Sequence, residues 1–496
     1  MADKKEEDPK PAEAKPTPKD QLVETKHSIT IGGQTINYTV TTGTIVLKEE
    51  AEKDGASEGE KPKASFFFIA YTRDEVSDST RRPLTFSFNG GPGSASVWLH
   101  LGVLGPRRTV LTDIGDLPQP PYQLTDNEHS LLDVTDLVFI DPVSTGYSRP
   151  VLGEKAKDFH GFKKDIESVG EFIRVYTTRY QRWTSPKFLI GESYGTTRAA
   201  GLSGYLQERC GLYLNGIMLV SAILNFQTAY FHPGNDQPYI LFLPTYTATA
   251  WYHQRLAPEL QKDLRATLNE VEAFAQGEYA LALLKGSKLT AAERNTIVEK
   301  LAQYTGLSAE YIQRTNLRIE IFRFTKELLR SQGRTVGRLD SRFKGIDRDT
   351  AGENFDYDPS LANIVGPYTA TFNQYVRHEL KFESDLIYEV LHPNLWSKWS
   401  YAEFENQYVN VADTLRQAMT ANPHLKVFVA NGYYDLATPY FATEYTFNHL
   451  GLDSSLQNNI AMTYYEAGHM MYIHLESLAK LKADLAGFIN GAVPVR

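Results

Sequence analysis

The sequence predicts an α/β fold, in which a mostly parallel central sheet carries helices on both faces. Short apolar runs recur along the chain with helical stretches between them, and several runs are continuous, as in parallel strands covered on both sides. Between about residues 226 and 400 the pattern becomes mostly helical. This change indicates a helical cap inserted between two strands of the sheet.

The predicted elements begin with a hairpin, because residues 29–31 and 34–40 flank a Gly-Gly dipeptide. A strand is predicted at 44–47, and the charged stretch 48–63 is interpreted as a solvated loop. The other predicted strands are 65–71, 84–88, 137–140, 187–190, 216–220, 426–430 and 460–464, and helical spacing predicts helices over 162–180 and 474–489. In the cap, Thr290 and Glu293 form the pattern of a capping box at the start of a helix.

Three regions follow from this organisation. Residues 1–24 contain mostly Lys, Glu, Ala and Pro, which predicts a disordered leader without the apolar segment of a signal peptide. The core of the fold is predicted over 25–225 and 401–496, and the cap over 226–400.

The composition excludes several classes of protein. Among 496 residues, 42% are hydrophobic, as expected of a globular protein with a large core. A net charge of −9 argues against a nucleic-acid partner. No apolar run approaches the ~18 residues that span a bilayer, and no metal or other cofactor is expected from the spacing of the histidines. The single cysteine, Cys210, excludes an intrachain disulfide and is interpreted as a structural thiol.

One short run makes a chemical prediction. Apolar residues 188–190 lead into Gly-Glu-Ser-Tyr-Gly with Ser193 at its centre, and small residues follow. This pattern is typical of a nucleophile elbow, in which a strand turns sharply into a helix and presents a serine hydroxyl. A tight structural turn is the alternative for this run taken alone.

A second run supports the chemical interpretation. An apolar strand ends in Asn89-Gly-Gly-Pro-Gly93, and glycines let backbone N–H groups approach a ligand closely. The loop therefore offers one donor of an oxyanion hole, and the N–H of Tyr194 offers the other. A phosphate-binding loop is the alternative, but the Lys-Ser/Thr ending of such loops is absent.

Two further runs supply an acid and a base. Asp435 follows a strand and an Asn-Gly turn, and His469 follows a strand and the small residues Ala467 and Gly468. The order Ser193, Asp435, His469 is the nucleophile, acid and base order of the α/β-hydrolase fold. In this arrangement His469 accepts the proton of Ser193, and Asp435 orients the imidazole and stabilises its charged form.

Together these runs resemble the signature regions of the serine carboxypeptidases, specifically of a bacterial-type member of that family. The likeness covers roughly residues 65–490, apart from the inserted block. The matching runs are Asn89-Gly-Gly-Pro-Gly, Asp141-Pro-Val-Ser-Thr-Gly-Tyr-Ser, Gly191-Glu-Ser-Tyr-Gly, Asn431-Gly-x-x-Asp with Pro439, and Ala467-Gly-His-Met.

The resemblance implies removal of the C-terminal residue from peptides that have a free C terminus. It implies an oxyanion hole formed by the N–H groups of Gly91 and Tyr194, and substrate binding by Asn89, Gly90 and Glu192. Asn89 and Glu192 would hydrogen-bond the terminal carboxylate of the peptide. Because two carboxylates in contact cannot both stay charged, Glu192 must then be protonated, which predicts a preference for acidic pH.

The sequence departs from the family at positions near this subsite. The family commonly has a second glutamate where Val103 stands, so the carboxylate site is either incomplete or completed by an unidentified residue of the insertion. Tyr472 stands where a proline often follows the histidine, and this change is expected to affect only the local turn. The family's usual cysteine after Gly-Gly-Pro-Gly is Ser94 here.

Two other functions are compatible with this sequence. A serine esterase or acyltransferase would need the same three catalytic groups, and a non-catalytic binding protein could retain the hydrolase fold. The family resemblance and the leader suggest export to the periplasm or outside the cell, with a signal peptide that this chain does not contain.

Overall fold

The computed structural model of the protein describes residues 18–112 and 117–494. Its strands are β1 (Gln21–Ile31), β2 (Gln34–Lys53), β3 (Ala56–Arg73), β4 (Leu84–Phe88), β5 (Arg107–Thr109), β6 (Leu124–Asp126), β7 (Asp136–Ile140), β8 (Arg149–Pro150), β9 (Lys187–Ser193), β10 (Gly216–Ala222), β11 (Thr335–Val336), β12 (Lys344–Gly345), β13 (Lys426–Gly432) and β14 (Ile460–Tyr465). Its α-helices are α1 (Val97–Leu99), α2 (Phe162–Arg179), α3 (Tyr194–Cys210), α4 (Gln237–Tyr252), α5 (Leu264–Phe274), α6 (Ala280–Lys285), α7 (Ala291–Thr305), α8 (Ala309–Arg314), α9 (Ile321–Glu327), α10 (Pro359–His378), α11 (Ala412–Ala421), α12 (Tyr440–Asn448) and α13 (Leu475–Ala492).

The central sheet has ten strands in the order β1-β2-β3-β7-β4-β9-β10-β13-β14, with β8 paired to β3. The pairs β1–β2, β2–β3 and β3–β7 are antiparallel. The strands β7, β4, β9, β10, β13 and β14 run parallel to one another. Because the parallel strands point the same way, their carboxyl ends meet at one edge of the sheet. The predicted α/β class with a mostly parallel sheet is confirmed.

Both faces of the sheet are buried, and neighbouring residues of a strand belong to different cores. In β9, Phe188 and Ile190 pack into a core with α10 and α13, whereas Leu189 packs into a core with α2, α3 and α11. This alternation on a strand covered from both sides explains why its sequence is a continuous apolar run.

The helical region contributes to more than one core. Helices α4 to α9 form a third core, which also includes Tyr434 and Tyr440 from the chain that follows β13. Helix α10 instead packs on one face of the sheet, in the same core as α13, through Tyr368, Phe372 and Tyr375. A helical insertion is present, as predicted, while the boundaries at residues 226 and 400 stay predictions.

Two predictions near the N terminus are wrong. The stretch 48–63, predicted as a loop, extends the β2–β3 hairpin from Lys48 opposite Pro62 to Lys53 opposite Ala56, and 44–47 is part of β2. Its side chains are mostly exposed on both faces, so the sequence has no apolar alternation to mark a strand. The leader prediction fails for residues 21–24, which lie in β1, and residues 1–17 lie outside the described chain.

The capping box predicted in the cap is confirmed. Thr290 and Glu293 form a reciprocal capping box at the start of α7, and the Ser308 hydroxyl caps α8. Of the helices in the part of the chain that the structure describes, none is both long enough and apolar enough to cross a bilayer.

Candidate active site

The serine predicted as the nucleophile lies at a sharp turn between a strand and a helix. Ser193 ends β9 and Tyr194 begins α3, and the serine has φ 59° and ψ −129°, a strained conformation for a residue with a side chain. A Cβ at Gly191 would lie 2.1 Å from the carbonyl oxygen of Gly195, so the turn can close only with glycine there. This geometry is what a nucleophile elbow requires.

The glycine-rich loop packs directly on this turn. A Cβ at Gly90 would lie 2.4 Å from the backbone nitrogen of Tyr194, so only glycine lets the two segments approach so closely. Gly91 follows with φ 103°, a conformation that favours glycine. The N–H of Tyr194 lies in the first turn of α3, where a helix leaves its N–H groups without a partner of its own. The two predicted oxyanion donors, Gly91 and Tyr194, therefore lie on adjacent segments.

A buried ion pair holds the glycine-rich loop in place. Arg198 of α3 donates from Nη1 to the carbonyl oxygen of Asn89 at 2.6 Å and from Nε to Oδ2 of Asp165 at 2.8 Å. The Arg198 and Asp165 side chains are each 1% exposed, so the pair joins α3, α2 and the loop away from water. Sequence reasoning missed both residues, because no local pattern relates positions on two helices.

The predicted acid and base lie on the loops that follow the neighbouring strands β13 and β14. His469 Nδ1 is 2.8 Å from Asp435 Oδ2, and both side chains are buried. Asp435 also accepts hydrogen bonds from the backbone N–H groups of Ala437 at 2.8 Å and Thr438 at 3.0 Å, and from the Thr438 hydroxyl at 2.7 Å. These donors fix the orientation of the carboxyl group, and its oxygen beside Nδ1 favours the imidazole tautomer that carries its hydrogen on Nδ1.

The base is tied to the strand beside the nucleophile. Ser193 is paired in register with Ala222 of β10, and the hydroxyl of the adjacent Ser221 donates to the carbonyl oxygen of His469 at 2.7 Å. Since β9, β10, β13 and β14 are parallel neighbours, the elbow at Ser193 and the loops with Asp435 and His469 lie at the same edge of the sheet.

A loop from the helical insertion joins the acid and base loops. The N–H of His469 donates to the carbonyl oxygen of Leu339 at 2.7 Å, and the N–H of Leu436 donates to that of Arg338 at 3.1 Å. We name residues 338–342 the clasp loop. No local pattern predicts this loop, because it lies in a block whose pattern is mainly helical.

A buried ion pair stabilises the clasp loop. Two nitrogens of Arg342 donate to the two carboxylate oxygens of Asp340, at 2.9 and 2.6 Å, and both side chains are buried. The N–H of Gly468 donates to Asp340 at 3.1 Å, and Arg342 donates to the carbonyl oxygen of Glu466 at 3.0 Å. The residues immediately before His469 are therefore fixed by charged groups from the insertion.

Glu192, which precedes the nucleophile, is buried, and both its carboxyl oxygens are hydrogen-bonded. Asn89 Nδ2 donates to Oε1 at 2.9 Å, and the Tyr472 hydroxyl donates to Oε2 at 2.6 Å. Burial raises the pKa of Glu192 to about 7, although the field of His469 and these two hydrogen bonds act in the opposite direction. The carboxyl group is therefore protonated in mildly acidic solution.

The structure corrects the prediction that Tyr472 affects only the local turn. A Cβ at Gly102 would lie 2.3 Å from the Tyr472 ring, so the missing side chain at Gly102 provides the space for the ring. Val103 is fully buried in the apolar core. Beside Asn89, the second group that hydrogen-bonds Glu192 is thus the Tyr472 hydroxyl, from the turn after the base.

Burial and the nearby charges shift the pKa of His469 in opposite directions. Burial alone lowers the pKa of the imidazole, but the Asp435 carboxylate and then Glu192 raise it above its ordinary value, against a smaller opposing effect of Arg338. Because the charge of Glu192 raises the pKa of His469 and the charge of His469 lowers that of Glu192, the two groups titrate as a coupled pair.

Other candidate side chains lie outside this chemistry. Cys210 ends α3 half-buried, and burial raises the pKa of its thiol, which disfavours a reactive thiolate. His100 is buried in the apolar core within 2.6 Å of the Tyr71 hydroxyl. Within residues 18–112 and 117–494, no group of three or more His, Cys, Asp and Glu side chains is placed to hold a metal ion.

Comparison with known proteins gives a consistent result. The sequence pattern of the family described as serine carboxypeptidase matches residues 53–487. The pheromone-processing carboxypeptidase KEX1 of Saccharomyces cerevisiae is 31% identical over 159 residues, which are 31% of this chain and 20% of that protein. This chain therefore spans about a fifth of the length of the curated relatives that it matches.

The crystal structure of KEX1(delta)p, a prohormone-processing carboxypeptidase from Saccharomyces cerevisiae, has the same fold. It covers 91% of this chain and 91% of its own, with a TM-score of 0.58 and 16% sequence identity. The family match includes the glycine-rich loop, the elbow, and the acid and base runs. The chain belongs to the serine carboxypeptidase family.

Proposed function

We propose that this protein is a serine carboxypeptidase, which hydrolyses the C-terminal peptide bond of peptides through an acyl-serine intermediate. The observation that carries the proposal is the buried His469–Asp435 pair, 2.8 Å apart, at the sheet edge where Ser193 forms a strained elbow. Acyl transfer requires a nucleophile, a base and an orienting acid, and the paired His469 and Asp435 support the assignment of the last two roles.

Ser193 starts the reaction. Its Oγ attacks the carbonyl carbon of the last peptide bond, while His469 Nε2 accepts the serine proton. The resulting imidazolium is stabilised by Asp435, whose other hydrogen bonds hold the carboxylate in place. The strained backbone at Ser193 supports the role of this residue at a nucleophile elbow, since such strain is concentrated at functional sites.

The negative oxygen of the tetrahedral intermediate is assigned to the N–H groups of Gly91 and Tyr194. Support comes from the close approach of the loop to the elbow and from the position of Tyr194 at the start of α3, where the helix dipole also favours negative charge. Arg198 stabilises this arrangement because it binds the carbonyl oxygen of Asn89.

Collapse of the intermediate releases the C-terminal amino acid. His469 gives its proton to the leaving nitrogen, the C–N bond breaks, and Ser193 remains acylated. A water molecule then attacks the acyl carbon with His469 again as the base, and proton return to Ser193 Oγ frees the shortened peptide.

The substrate carboxylate is assigned to Asn89, Gly90 and the protonated Glu192. Glu192 directly precedes the nucleophile, so a group bound beside it lies close to the reacting bond. Since burial raises the pKa of Glu192 to about 7, this group can donate a hydrogen to a carboxylate below neutral pH. Binding of free-acid peptides is then expected to weaken as pH rises above 7.

A two-part experiment tests the function. A fluorophosphonate probe is expected to label the wild type at Ser193 and to leave Ser193→Ala unlabelled. N-blocked dipeptides and their C-terminal amides are then compared as substrates. Release of the last residue from the free acids alone supports a carboxypeptidase, whereas absence of labelling contradicts any serine hydrolase.

Hydrolysis of blocked esters without preference for free acids would instead favour an esterase or acyltransferase. We further propose export to the periplasm or outside the cell, which rests on the family membership and on the Lys-, Pro- and Ala-rich residues 1–24. Fractionation of the native source, with a cytoplasmic enzyme as marker, tests this location.

A further inference from the structure

We propose that Tyr472 is a specificity-determining residue for the C-terminal carboxylate of the substrate, and that its hydroxyl takes the place of the second carboxyl group that is absent at Val103. The inference rests on the proposed function. It assigns to Tyr472 a task that the family performs with a glutamate from a different segment.

The contacts of Tyr472 are specific and buried. Its hydroxyl lies 2.6 Å from Glu192 Oε2, while Asn89 holds the other oxygen at 2.9 Å, so the carboxyl group has one fixed orientation. The ring is 2% exposed and lies against Gly102, where a side chain would clash with two of its carbon atoms. Glycine at 102 and tyrosine at 472 are thus a matched pair.

The hydrogen of Tyr472 changes partner with the charge of Glu192. A phenol can donate one hydrogen and accept others. When Glu192 is ionised, its Oε2 retains the Tyr472 hydrogen. When Glu192 is protonated, its single hydrogen can be donated to the Tyr472 oxygen instead of directly to the substrate, and the phenol then donates its own hydrogen to the substrate carboxylate. Tyr472 therefore offers a donor to a carboxylate only while Glu192 is neutral.

A tyrosine also differs from the missing glutamate in its charge. Burial raises the pKa of Tyr472 well above its usual value, and the nearby Glu192 adds to the effect, so the phenol stays neutral. A subsite with Glu192 and Tyr472 therefore contains one titrating carboxyl group where the family has two.

Several ionisable groups share this environment. Glu192 is affected by His469 and Asp435, and Tyr368 of α10 is itself affected by the charge of Glu192. Of these groups, His469 and Asp435 have their own fixed partners, and Tyr368 is a buried phenol. Tyr472 is the one that contacts Glu192 Oε2 directly.

The test compares Tyr472→Phe with the wild type on two substrates. One is an N-blocked dipeptide free acid, and the other is an activated ester of the same blocked first residue, which has no terminal carboxylate. We expect kcat/KM for the free acid to fall roughly 10- to 100-fold, mainly through KM, because a charge-assisted hydrogen bond is lost. The ester is expected to change less than about 3-fold.

The pH profile gives a readout that a purely structural role would not affect. The Tyr472 hydrogen bond lowers the pKa of Glu192, so its removal is expected to move the alkaline fall in free-acid activity to higher pH. Tyr375→Phe is the matched control, since Tyr375 is also buried and its hydroxyl lies 2.9 Å from that of Tyr71, in the core away from Glu192. It is expected to affect both substrates equally and to leave the pH profile unchanged.

The outcomes separate the two proposals. If the wild type hydrolyses the ester without preferring the free acid, the proposed function fails. If the wild type prefers the free acid and Tyr472→Phe retains that preference, the inference about Tyr472 is wrong. Should Tyr472→Phe not fold, Gly102→Ala is the second variant, because its Cβ would lie 2.3 Å from the Tyr472 ring and displace it. A preference for the free acid that is unchanged in Gly102→Ala contradicts the inference.

Discussion

Asp340 of the clasp loop accepts a hydrogen bond from the backbone N–H of Gly468, the residue before the proposed base, at 3.1 Å. The same carboxylate binds Arg342, which also binds the carbonyl oxygen of Glu466. A segment of the helical insertion therefore holds the backbone beside His469, the proposed base for Ser193. The insertion thus supports the loop that carries the proposed base, in addition to any role as a cover.

The first prediction concerns this pair. Asp340→Asn leaves Arg342 buried without a counter-charge, and is expected to lower the free energy of unfolding by about 3–5 kcal/mol. Adding Arg342→Met removes the unpaired charge and is expected to recover part of that loss. Urea denaturation of the single and double variants measures both changes.

The control for Asp340 is an exposed ion pair of the same insertion. Glu310→Gln breaks a pair with Arg314 whose side chains are 73% and 75% exposed, and is expected to cost at most about 0.5 kcal/mol. Equal effects of Asp340→Asn and Glu310→Gln would contradict a supporting role for the clasp loop.

The second prediction concerns the proposed acid. In Asp435→Asn the amide NH2 can face His469 and favours the tautomer with its hydrogen on Nε2, which cannot accept the serine proton. We expect kcat to fall by roughly 10⁴-fold with little change in KM. Thr438→Val removes only the hydroxyl that donates to Asp435, and a smaller fall, roughly 10- to 100-fold, is expected. Steady-state kinetics on an activated ester distinguish the two, and a loss below 10-fold in Asp435→Asn would exclude it as the orienting acid.

The third prediction concerns pH dependence. Since burial raises the pKa of Glu192 to about 7, free-acid kcat/KM in the wild type is expected to decline above that pH, where Glu192 becomes charged. At low pH the activity declines because His469, whose pKa is raised, becomes protonated. The profile is therefore expected to be bell-shaped, and its two limbs belong to the coupled pair.

Glu192→Gln tests both limbs. Glutamine cannot ionise, so the alkaline decline with free-acid substrates is expected to disappear. On the acid limb Glu192 is already neutral and has no charge to raise the pKa of His469, so that limb is expected to stay nearly unchanged. Ester hydrolysis serves as the control for the alkaline limb, since an ester has no carboxylate for Glu192 to repel. An unchanged alkaline limb in Glu192→Gln would show that another group titrates there.

The fourth prediction concerns Gly102. The added Cβ of Gly102→Ala would lie 2.3 Å from the buried Tyr472 ring, so the ring must move and its hydrogen bond to Glu192 is expected to break. A reduced Tm and a preferential loss of free-acid activity are expected together. Gly487→Ala in α13 is the control, because a Cβ there meets no atom within 4 Å and alanine favours a helix by about 1 kcal/mol.

The residues of the candidate site could be predicted where a local pattern constrains the backbone. The elbow around Ser193 needs glycines on both sides, since Gly191 and Gly195 allow the turn to close. Asp435 and His469 follow apolar runs that mark the ends of strands, so their meeting at one sheet edge follows from parallel topology.

The partners of these residues could not be predicted in the same way. Tyr472 and Glu192 are 280 positions apart, and Gly468 and Asp340 are 128 apart. No spacing rule relates such distant positions, because their contact depends on how the insertion and the final turn pack on the sheet. The outer part of the β2–β3 hairpin could not be predicted either. Its exposed, charged residues are paired through backbone hydrogen bonds, so their side chains show no apolar alternation.

The position of the clasp loop and the base in chain order has a consequence for biosynthesis. Ser193 leaves the ribosome first, and His469 follows 276 residues later, after roughly 15–55 seconds of elongation at ordinary rates. Until then the nascent chain contains the proposed nucleophile and the clasp loop, but not the base that the clasp loop supports. With the proposed roles, a chain that is truncated before His469 is expected to have no hydrolase activity.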